Sequence, residues 1–593
     1  MKAEKITSFT WLPAVIFSLS TAFYILFAFY QDMLFTAHLR TPYLEGSMFF
    51  GELTSTPFGI MRWAGCWLTQ FCYYPLLGIA FYIVIWCATY FVAAKALDIS
   101  GTWVSLLILP LACLLLSVVD LGYWIYCMLD LGYWFSHSLA YLLMFVCLYL
   151  IRKSLAKARN MTGIATLIII MFYPVLGWYG ILMSLMLVAL EWKRFRYESL
   201  IFLLPCLSPF LWVSVYSGVP ERELWLGGFP IFEDGANLSL RPSIPFIALA
   251  VFSLLLPFVP KKKTQQGKKA TWIHVIAADI VLPVIVFLGV ELLMFKDYNY
   301  LAEMRMTKCA LEEDWIGVLR ESEKQQAPSR SMVLLKNLAL LNVGELGELA
   351  FKTHNDGREI KNPDGLNLSA MQIVSPVVYY NYGKINYATR WANEFAVCYG
   401  YSPYYLMILA KAAKAKGERQ LSEKYLESLH GHHFYRDWQP SVISPLAKEI
   451  ERAFGNVIDA DNNNMEVYLI DTFSQSYGSD NPTVKELSLF NAMLYGNAER
   501  FWKAFVSYVM IDPERVLPQH YQEAYFLFME AAPIELPCMV KISSGMAEAY
   551  SSFRQQYDTL VKSGYKEEEI AQALKINWGG SYWWHYFFAK KTY

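Results

Sequence analysis

Long uncharged apolar stretches recur through residues 1–295, and they constrain the fold of this chain more than any other feature. A bilayer core of about 30 Å requires about 20 apolar residues per helix. Nine such stretches lie near 11–30, 72–94, 103–119, 132–151, 162–174, 178–191, 199–216, 244–260 and 271–294. Because Pro174, Gly177 and Gly180 interrupt the region 162–191, we interpret it as a hairpin of two short helices. The sequence therefore predicts an all-α, polytopic transmembrane bundle of about nine spans over residues 1–295.

The distribution of basic residues predicts the topology of these spans. Most of them fall on one side, which the positive-inside rule identifies as cytoplasmic. They are Lys2, Lys5, Lys95, Arg152, Lys153, Lys157, Arg159, Lys193, Arg194, Arg196, Lys261, Lys262, Lys263, Lys268 and Lys269. An odd number of spans then exports everything after residue 295. The predicted external loops are loop 1 (31–71), loop 2 (119–131) and loop 3 (217–243). The net charge of −1 excludes a general attraction to nucleic acid.

Residues 296–593 are predicted to form an exported helical domain, because apolar residues recur there at intervals of three and four. Four predicted helices end before glycines, at Gly344, Gly383, Gly417 and Gly496. Ala388 and Pro513 stand at the offsets from Gly383 and Gly496 that are typical of tetratricopeptide repeats. The domain therefore resembles an α-solenoid of the tetratricopeptide type.

Three local patterns in this half carry further predictions. Thr483 with Glu486 forms the pattern of a capping box, and Asn497 is placed to cap the following helix. His430, His432 and His433 follow a predicted helix end, so we expect a solvated turn there rather than a metal site. The segment 578–593 is too aromatic for a free tail and should dock into the solenoid, with the outer membrane leaflet as the alternative.

Four basic residues of the membrane half fall outside the cytoplasmic set, and all four are arginines. They are Arg40, Arg62, Arg222 and Arg241. Because a guanidinium presents a planar fork to phosphate, this set indicates recognition of a phosphate-bearing lipid head group. The alternative is that these arginines pair with nearby carboxylates. The neighbouring carboxylates are those of Glu45, Glu52, Glu221 and Glu223.

Acidic residues gather on the same predicted face. Asp32 follows the first span, and Asp120 and Asp130 each begin a copy of Asp-Leu-Gly-Tyr-Trp. Such carboxylates can act as a general base or hold a divalent cation, but Asp120 and Asp130 can equally cap helices. His137, near the outer end of the fourth span, can pair with Asp130 or bind substrate, but a histidine in that position is more often simply hydrogen-bonded at the membrane interface. Asp279 lies inside the ninth span, where an ionisable side chain needs a partner, either in a structural interhelical bond or in a functional role.

The layout of the chain resembles that of C-superfamily (GT-C) membrane glycosyltransferases. The shared features are the long loop 1, the acid after the first span, the paired short helices and the exported helical domain. The membrane-plus-repeat arrangement is similar to the transmembrane and tetratricopeptide O-mannosyltransferases. The resemblance implies a catalytic acid in loop 1, which is Asp32 by position, with Glu45 as second choice, and a polyprenyl-phosphate sugar as donor. It leaves Arg40, Arg62, Asp120, Asp130, His137, Arg222 and Arg241 as substrate-binding candidates.

A closer likeness is to an uncharacterised family of bacterial polytopic membrane proteins with a repeat-like exported tail. The residues that carry it are Asn337-Leu-Ala-Leu-Leu-Asn-Val-Gly-Glu-Leu-Gly, Asn481-Pro-Thr and Ser581-Tyr-Trp-Trp. This likeness implies a multi-pass protein of the bacterial inner membrane with a periplasmic C-terminal domain. It implies no activity.

Two functions of different classes follow from these patterns. The first is a GT-C glycosyltransferase that moves sugar from the lipid carrier to an envelope protein or glycan acceptor on the external face. The second is a non-enzymatic, membrane-anchored scaffold whose solenoid binds envelope proteins. A transporter would require more ionisable residues within the membrane than Asp279 alone.

Overall fold

The structure is a computed structural model, and it divides the chain into two compact units. It describes residues 12–99, 101–157, 161–234, 237–259, 277–325, 327–353, 355, 357–361, 366–458, 464–475 and 477–589. Unit 1 contains the described residues up to Lys296, together with Cys398–Tyr404 and Glu427–Trp438. Unit 2 contains Asp297–Val397, Tyr405–Leu426 and Gln439 onward. Two short segments of the C-terminal half therefore pack as part of unit 1.

Unit 1 is built from apolar helices joined by short irregular stretches. Its α-helices before residue 297 are α1 (Leu12–Phe29), α2 (Gln31–Arg40), α3 (Ser47–Thr54), α4 (Gly59–Thr69), α5 (Pro75–Leu97), α6 (Ile108–Val119), α7 (Tyr133–Lys157), α8 (Thr162–Met171), α9 (Tyr173–Leu176), α10 (Trp178–Phe195), α11 (Ser208–Trp212), α12 (Glu221–Trp225), α13 (Ile244–Leu255) and α14 (Leu282–Leu293). The 3₁₀ segments are Gln70–Tyr73, Gly101–Leu107, Gly122–Tyr126, Arg196–Leu207, Arg241–Ser243 and Leu256–Phe258, and Ala277–Val281 is a π-helical turn. Strands β1 (Phe232–Asp234) and β2 (Asn237–Ser239) form an antiparallel hairpin.

Four helical segments among the described residues are long and apolar enough to cross a membrane. They are Leu12–Phe29, Pro75–Leu97, Tyr133–Lys157 and Arg241–Phe258. Trp103–Val119 and Thr162–Met171 are shorter apolar helices. The predicted break in 162–191 is present, because the chain leaves helical geometry at Gly177 before α10 begins. The predicted span 199–216 is a 3₁₀ segment followed by the five-residue α11, with Pro205 and Pro209 within it.

Part of the predicted topology falls on residues outside the described ranges. The basic residues concerned are Lys2, Lys5, Arg159, Lys261, Lys262, Lys263, Lys268 and Lys269. The beginning of the predicted span 271–294 also lies there. The described residues thus establish apolar helices of membrane-spanning length, and the count of nine spans stays a prediction.

Unit 2 is almost entirely helical. The helices that follow residue 297 are α15 (Tyr298–Leu311), α16 (Trp315–Ser322), α17 (Arg330–Val343), α18 (Leu346–Leu349), α19 (Ala370–Asn381), α20 (Ile385–Tyr399), α21 (Pro403–Ala415), α22 (Arg419–His430), α23 (Pro445–Phe454), α24 (Met465–Ser474), α25 (Pro482–Tyr495), α26 (Ala498–Val509), α27 (Gln519–Ala531), α28 (Met546–Lys562), α29 (Glu567–Trp578) and α30 (Tyr582–Phe588). Of these, α20, α21 and α22 contribute one end each to unit 1. Strands β3 (Ile360–Lys361) and β4 (Asn367–Leu368) pair in antiparallel fashion.

The helix ends of unit 2 confirm most of the local predictions. Gly344 and Gly496 follow α17 and α25 with φ of +75° and +72°, a conformation that favours glycine. Asn497 caps α26 by accepting from the backbone N–H of Arg500 at 3.1 Å. The capping box predicted at Thr483 is wrong, because Asn481 caps α25 instead. Its side chain accepts from Thr483 N at 2.9 Å, which places Pro482 at the first helical position.

The aromatic C-terminal segment docks within unit 2, as the sequence predicts. Tyr582 and Trp583 are buried, and both bind Glu523 of α27. The backbone N–H of Tyr582 donates to Glu523 Oε2 at 2.7 Å, and Trp583 Nε1 donates to the Glu523 carbonyl at 2.7 Å. The final residues 590–593 lie outside the described ranges.

Replacing Trp583 should destabilise unit 2 strongly. Trp583→Ala removes a buried indole and a hydrogen bond, and we expect a loss of about 3–5 kcal/mol in the free energy of unfolding. The measurement is denaturant-dependent hydrogen exchange of α27 and α30 in the purified full chain. Ile576→Ala is the matched control, because Ile576 lies on the preceding helix and is 85% exposed; it should change stability by less than about 0.5 kcal/mol. Equal effects of the two variants would contradict the docking.

Candidate functional site

Loop 1 begins with a helix that carries two of the predicted site residues. Helix α2 has Asp32 in its first turn and Arg40 in its last, so both charges complement the helix dipole. Met33, Leu34 and Ala37 are fully buried, which fixes α2 against the rest of unit 1. Asp32 itself is half-buried. Glu45, the second-choice acid, is exposed in the connection between α2 and α3.

Arg40 lies against two aromatic rings. Its guanidinium carbon is 3.8 Å from the ring centroid of Tyr404 and 5.0 Å from that of Tyr126. Both distances are within the range of cation–π attraction. Tyr404 belongs to one of the two C-terminal segments that pack in unit 1, so this segment helps to position the end of α2.

A largely buried charged cluster of unit 1 joins loop 1 to loop 2. Arg62 of α4 donates from Nε to Asp130 Oδ1 at 2.9 Å and from Nη1 to Thr56 Oγ1 at 2.9 Å. His137 Nε2 lies 3.5 Å from the other carboxylate oxygen of Asp130, so the structure brings these two residues together. His137 Nδ1 is 3.3 Å from the hydroxyl of Tyr179 on α10.

The electrostatics of this cluster keep Asp130 ionised. Burial alone would raise the pKa of the Asp130 carboxyl, but the charge of Arg62 and the bonds to Arg62 and His137 outweigh it. The pKa of Asp130 is therefore held below its ordinary value. From neutral pH down to the ordinary pKa of an aspartate, Asp130 is therefore a carboxylate bound to the guanidinium of Arg62. This pair ties loop 1 to loop 2.

Two more of the external arginines bind carboxylates. Arg241 Nη2 is 3.2 Å from Asp120 Oδ1, and Arg222 binds Glu233 of β1. The carboxylate-paired alternative is thus confirmed for Arg62, Arg222 and Arg241, although the partners are not the neighbouring glutamates that we expected. The capping alternative for Asp120 is wrong, because this residue follows the last turn of α6 instead of preceding a helix.

Close backbone packing joins loops 1 and 3 beside the cluster. Phe58 is fully buried with φ of +73°, and its N–H donates to the Pro174 carbonyl at 2.8 Å. A Cβ on Gly177 would lie 2.0 Å from the carbonyl oxygen of Gly227, so no side chain fits there. Phe58 and Tyr179 contact His137, and neither was among the site residues predicted from the sequence. The Gly227-Gly228 pair was the available signal of a close backbone approach.

Asp279 has a structural partner. Ser105 donates from Oγ to Asp279 Oδ1, and the Asp279 side chain is buried. The bond links the Gly101–Leu107 segment to the π-helical turn at Ala277–Val281. This is the interhelical bond that the sequence offered as one of two alternatives.

The three histidines near residue 430 differ in their exposure to solvent. His432 is fully buried within unit 1, while His433 is exposed and His430 Nε2 lies 3.0 Å from the Trp438 carbonyl. The prediction of a solvated turn is therefore wrong for His432. Among the described residues, no group of three or more His, Cys, Asp or Glu side chains is placed to hold a metal ion.

Comparison with known proteins gives one finding. The sequence model of a family of unknown function, DUF6057, matches residues 5–589. No curated protein and no solved structure matches the chain.

Breaking the Arg62–Asp130 pair should unfold the junction of loops 1 and 2. In Arg62→Ala the buried carboxylate loses its counter-charge, and we expect a loss of about 3–5 kcal/mol. Thermal unfolding of the full chain in nanodiscs measures the effect. Arg222→Ala is the control, because the Arg222–Glu233 pair is 44% exposed on both sides and should contribute about 1 kcal/mol or less. A loss for Arg62→Ala no larger than that of the control would contradict a structural role.

Proposed function

The chain belongs to the DUF6057 family, and we propose that it is a membrane-embedded glycosyltransferase of the C type. It would transfer a sugar from a polyprenyl-phosphate donor to an envelope protein or glycan on the external face. The observation that carries the proposal is the position of Asp32. This half-buried carboxylate lies in the first turn of α2, directly after the membrane-length helix α1. A lipid-linked head group would present its sugar at this depth.

The proposed role of Asp32 is that of general base. Asp32 accepts the proton of an acceptor hydroxyl while the hydroxyl oxygen attacks the anomeric carbon of the donor sugar. The bond from that carbon to the phosphate oxygen breaks, and the electron pair leaves with the polyprenyl phosphate. Glu45 is less suited to this role, because it is exposed to solvent beyond the end of α2.

Arg40 is the arginine that we assign to the donor phosphate. Arg40 lies eight residues after Asp32 on the same helix, a rise of about 12 Å. The two side chains and a phosphosugar head group together span that separation. The stacking on Tyr404 and Tyr126 fixes the guanidinium in place.

The proposal includes the topology predicted from the charge distribution. Nine spans would export residues 296–593 to the periplasm of a bacterial inner-membrane protein. There the helical repeats of unit 2 would present the acceptor. Supporting this view, four helical segments among the described residues are long and apolar enough to cross a membrane.

The scaffold alternative is favoured by a different observation. The Arg62–Asp130 and Arg241–Asp120 pairs use charges that an enzyme could have turned toward substrate, and they tie the loops of unit 1 together instead. A passive anchor needs a rigid frame of this kind. Under this alternative unit 2 binds envelope proteins, and α2 has no chemical role.

Asp32→Asn should abolish sugar transfer without affecting membrane insertion. Losing a general base costs about 10²- to 10⁴-fold in rate. The measurement is glycomics of envelope proteins and polysaccharides in cells that carry the variant, with protein level checked in isolated membranes. Glu45→Gln is the matched control and should leave the glycans unchanged. If Asp32→Asn leaves every glycoconjugate as in the wild type, the enzyme proposal fails and the scaffold is favoured.

A reporter fused after residue 300 tests the topology separately. We expect periplasmic reporters such as alkaline phosphatase to be active in this fusion, because an odd number of spans precedes the fusion point. The paired control is a fusion after Arg152, on the predicted cytoplasmic side. Activity of the residue-300 fusion only with cytoplasmic reporters would falsify the nine-span arrangement.

A further inference from the structure

The segment Glu427–Trp438, which we call the clasp, packs on loop 1 within unit 1. Phe434 packs edge-on against Phe71 of loop 1 with ring centroids 5.9 Å apart, and it stacks on Tyr73, just beyond the loop, with centroids 5.1 Å apart. The hydroxyl of Tyr435 lies 3.1 Å from Nε2 of His38, a residue of α2. The clasp is therefore joined to loop 1 mainly through aromatic rings.

The backbone of the clasp also lies close to loop 1 at two positions, His433 and Gly431. The N–H of His433 donates to Gln70 Oε1 at 2.8 Å. A Cβ built on Gly431 would lie 3.7 Å from the Cβ of Glu45. The hydrogen bond and this short distance both place the clasp directly against loop 1.

Two histidines are buried on either side of this contact. His38 is 1% exposed and His432 is 0% exposed. The ring of His432 packs edge-on against Tyr43, with centroids 6.2 Å apart. Among the described residues, neither ring nitrogen of His432 has a hydrogen-bond partner. A neutral imidazole tolerates such surroundings, whereas a buried imidazolium without an acceptor is costly.

We propose that the clasp is a pH-sensitive device that holds loop 1 while His38 and His432 are neutral and releases it when they take up protons. The inference stands apart from the proposed enzyme activity, since it concerns only the contact between these two segments. Its consequence for that activity is direct, because His38 lies on the helix that carries Asp32 and Arg40.

The groups around the two imidazoles do not compensate for a positive charge. The titratable side chains packed against them are the phenols of Tyr43, Tyr73 and Tyr435. The thiol of Cys66 lies in the same hydrophobic cluster as Tyr43. Two further titratable residues lie at this contact, His433 in the clasp and Glu45 in loop 1. The side chains of both are exposed to solvent. A protonated His38 is repelled by the positive charge of a protonated His432.

The direction of the pH effect follows from proton linkage. Burial, reinforced by His432 and opposed slightly by the backbone of Thr69, lowers the pKa of His38 to about 3. Burial likewise lowers the pKa of His432 to about 3. Exposed to solvent in a released clasp, both imidazoles would have the ordinary pKa of 6.5. Closure is thus fully favoured above pH 6.5 and is lost progressively as the pH falls toward 3.

The size of the effect is set by the released state. Between pH 8 and pH 5, a histidine of ordinary pKa gains protonation that favours release by about 30-fold. Two independent histidines would favour release by at most about 1,000-fold. This is a large enough change to measure as hydrogen exchange.

The experiment is hydrogen exchange of the clasp backbone in the full chain in nanodiscs at pH 8 and pH 5, corrected for intrinsic exchange rates. We expect protection of residues 427–438 to fall between 30- and 1,000-fold more than that of α25, a buried helix of unit 2. In His432→Phe the fall should shrink by about 30-fold, and in His38→Phe/His432→Phe it should vanish. The ratio between the two pH values is the readout, so a general loss of stability in a variant does not mimic it.

The matched control is His433→Phe, which changes the adjacent, exposed histidine of the same segment. It should retain the full response to pH. The proposal is overturned if clasp protection is the same at both pH values in the wild type. It is equally overturned if His433→Phe removes the response as completely as His432→Phe does.

A disulfide provides a second test. The 3.7 Å between Cβ positions at Glu45 and Gly431 lies within the range for disulfides, so Glu45→Cys/Gly431→Cys should cross-link the closed clasp. Oxidised at pH 8 and then moved to pH 5, this variant should keep its protection until a reductant is added. Loss of protection at pH 5 with the cross-link intact, verified by mass spectrometry, would show that the pH response arises elsewhere.

Discussion

The contact between Arg62 and Asp130 determines how the irregular part of unit 1 can be arranged. Both groups are largely removed from water, so leaving either charge there without the other would be costly. The pair fixes α4 of loop 1 to the residues just before α7. Once that distance is set, Thr56 and Phe58 have little freedom. The positive φ of Phe58 is one result, since its ring must pack on His137 and Tyr179.

This arrangement explains why a stretch that reads as loop sequence is largely helical and buried. Loop 1 contains α2, α3 and α4, and each of them buries at least one apolar side chain. The close approach of Gly177 and Gly227 brings the break between α9 and α10 against loop 3. Pro174 and Gly177 therefore have two effects. They end a helix, and they leave the Pro174 carbonyl to accept from the N–H of Phe58 and the Trp178 N–H to donate to the carbonyl of Gly227.

Features that depend on neighbours in sequence were predicted well, and features that depend on distant residues were not. The helix ends at Gly344 and Gly496 and the cap at Asn497 need only a few residues to form. The capping box at Thr483 failed because Asn481 competes for the same N–H groups and lets Pro482 enter the helix. The carboxylate partners of Arg62 and Arg241 are 68 and 121 residues away, so sequence proximity pointed to the wrong acids.

His432 shows the same limit more sharply. A histidine after a polar helix end is ordinarily solvated, and its burial results from aromatic residues almost 400 positions earlier in the chain, as in the contact of Tyr435 with His38. Helix α2 is therefore part of both proposals, because it carries the proposed base and also contacts the clasp. One end of α2 carries a carboxylate beside a membrane-length helix, and the other carries a buried imidazole and a stacked guanidinium. His38 and Asp32 lie on the same ten-residue helix, so a displacement of that helix at His38 moves Asp32 as well. If α2 serves catalysis, its base is thereby coupled to the protonation of the clasp; if it serves only as structure, the same coupling acts on the frame of unit 1.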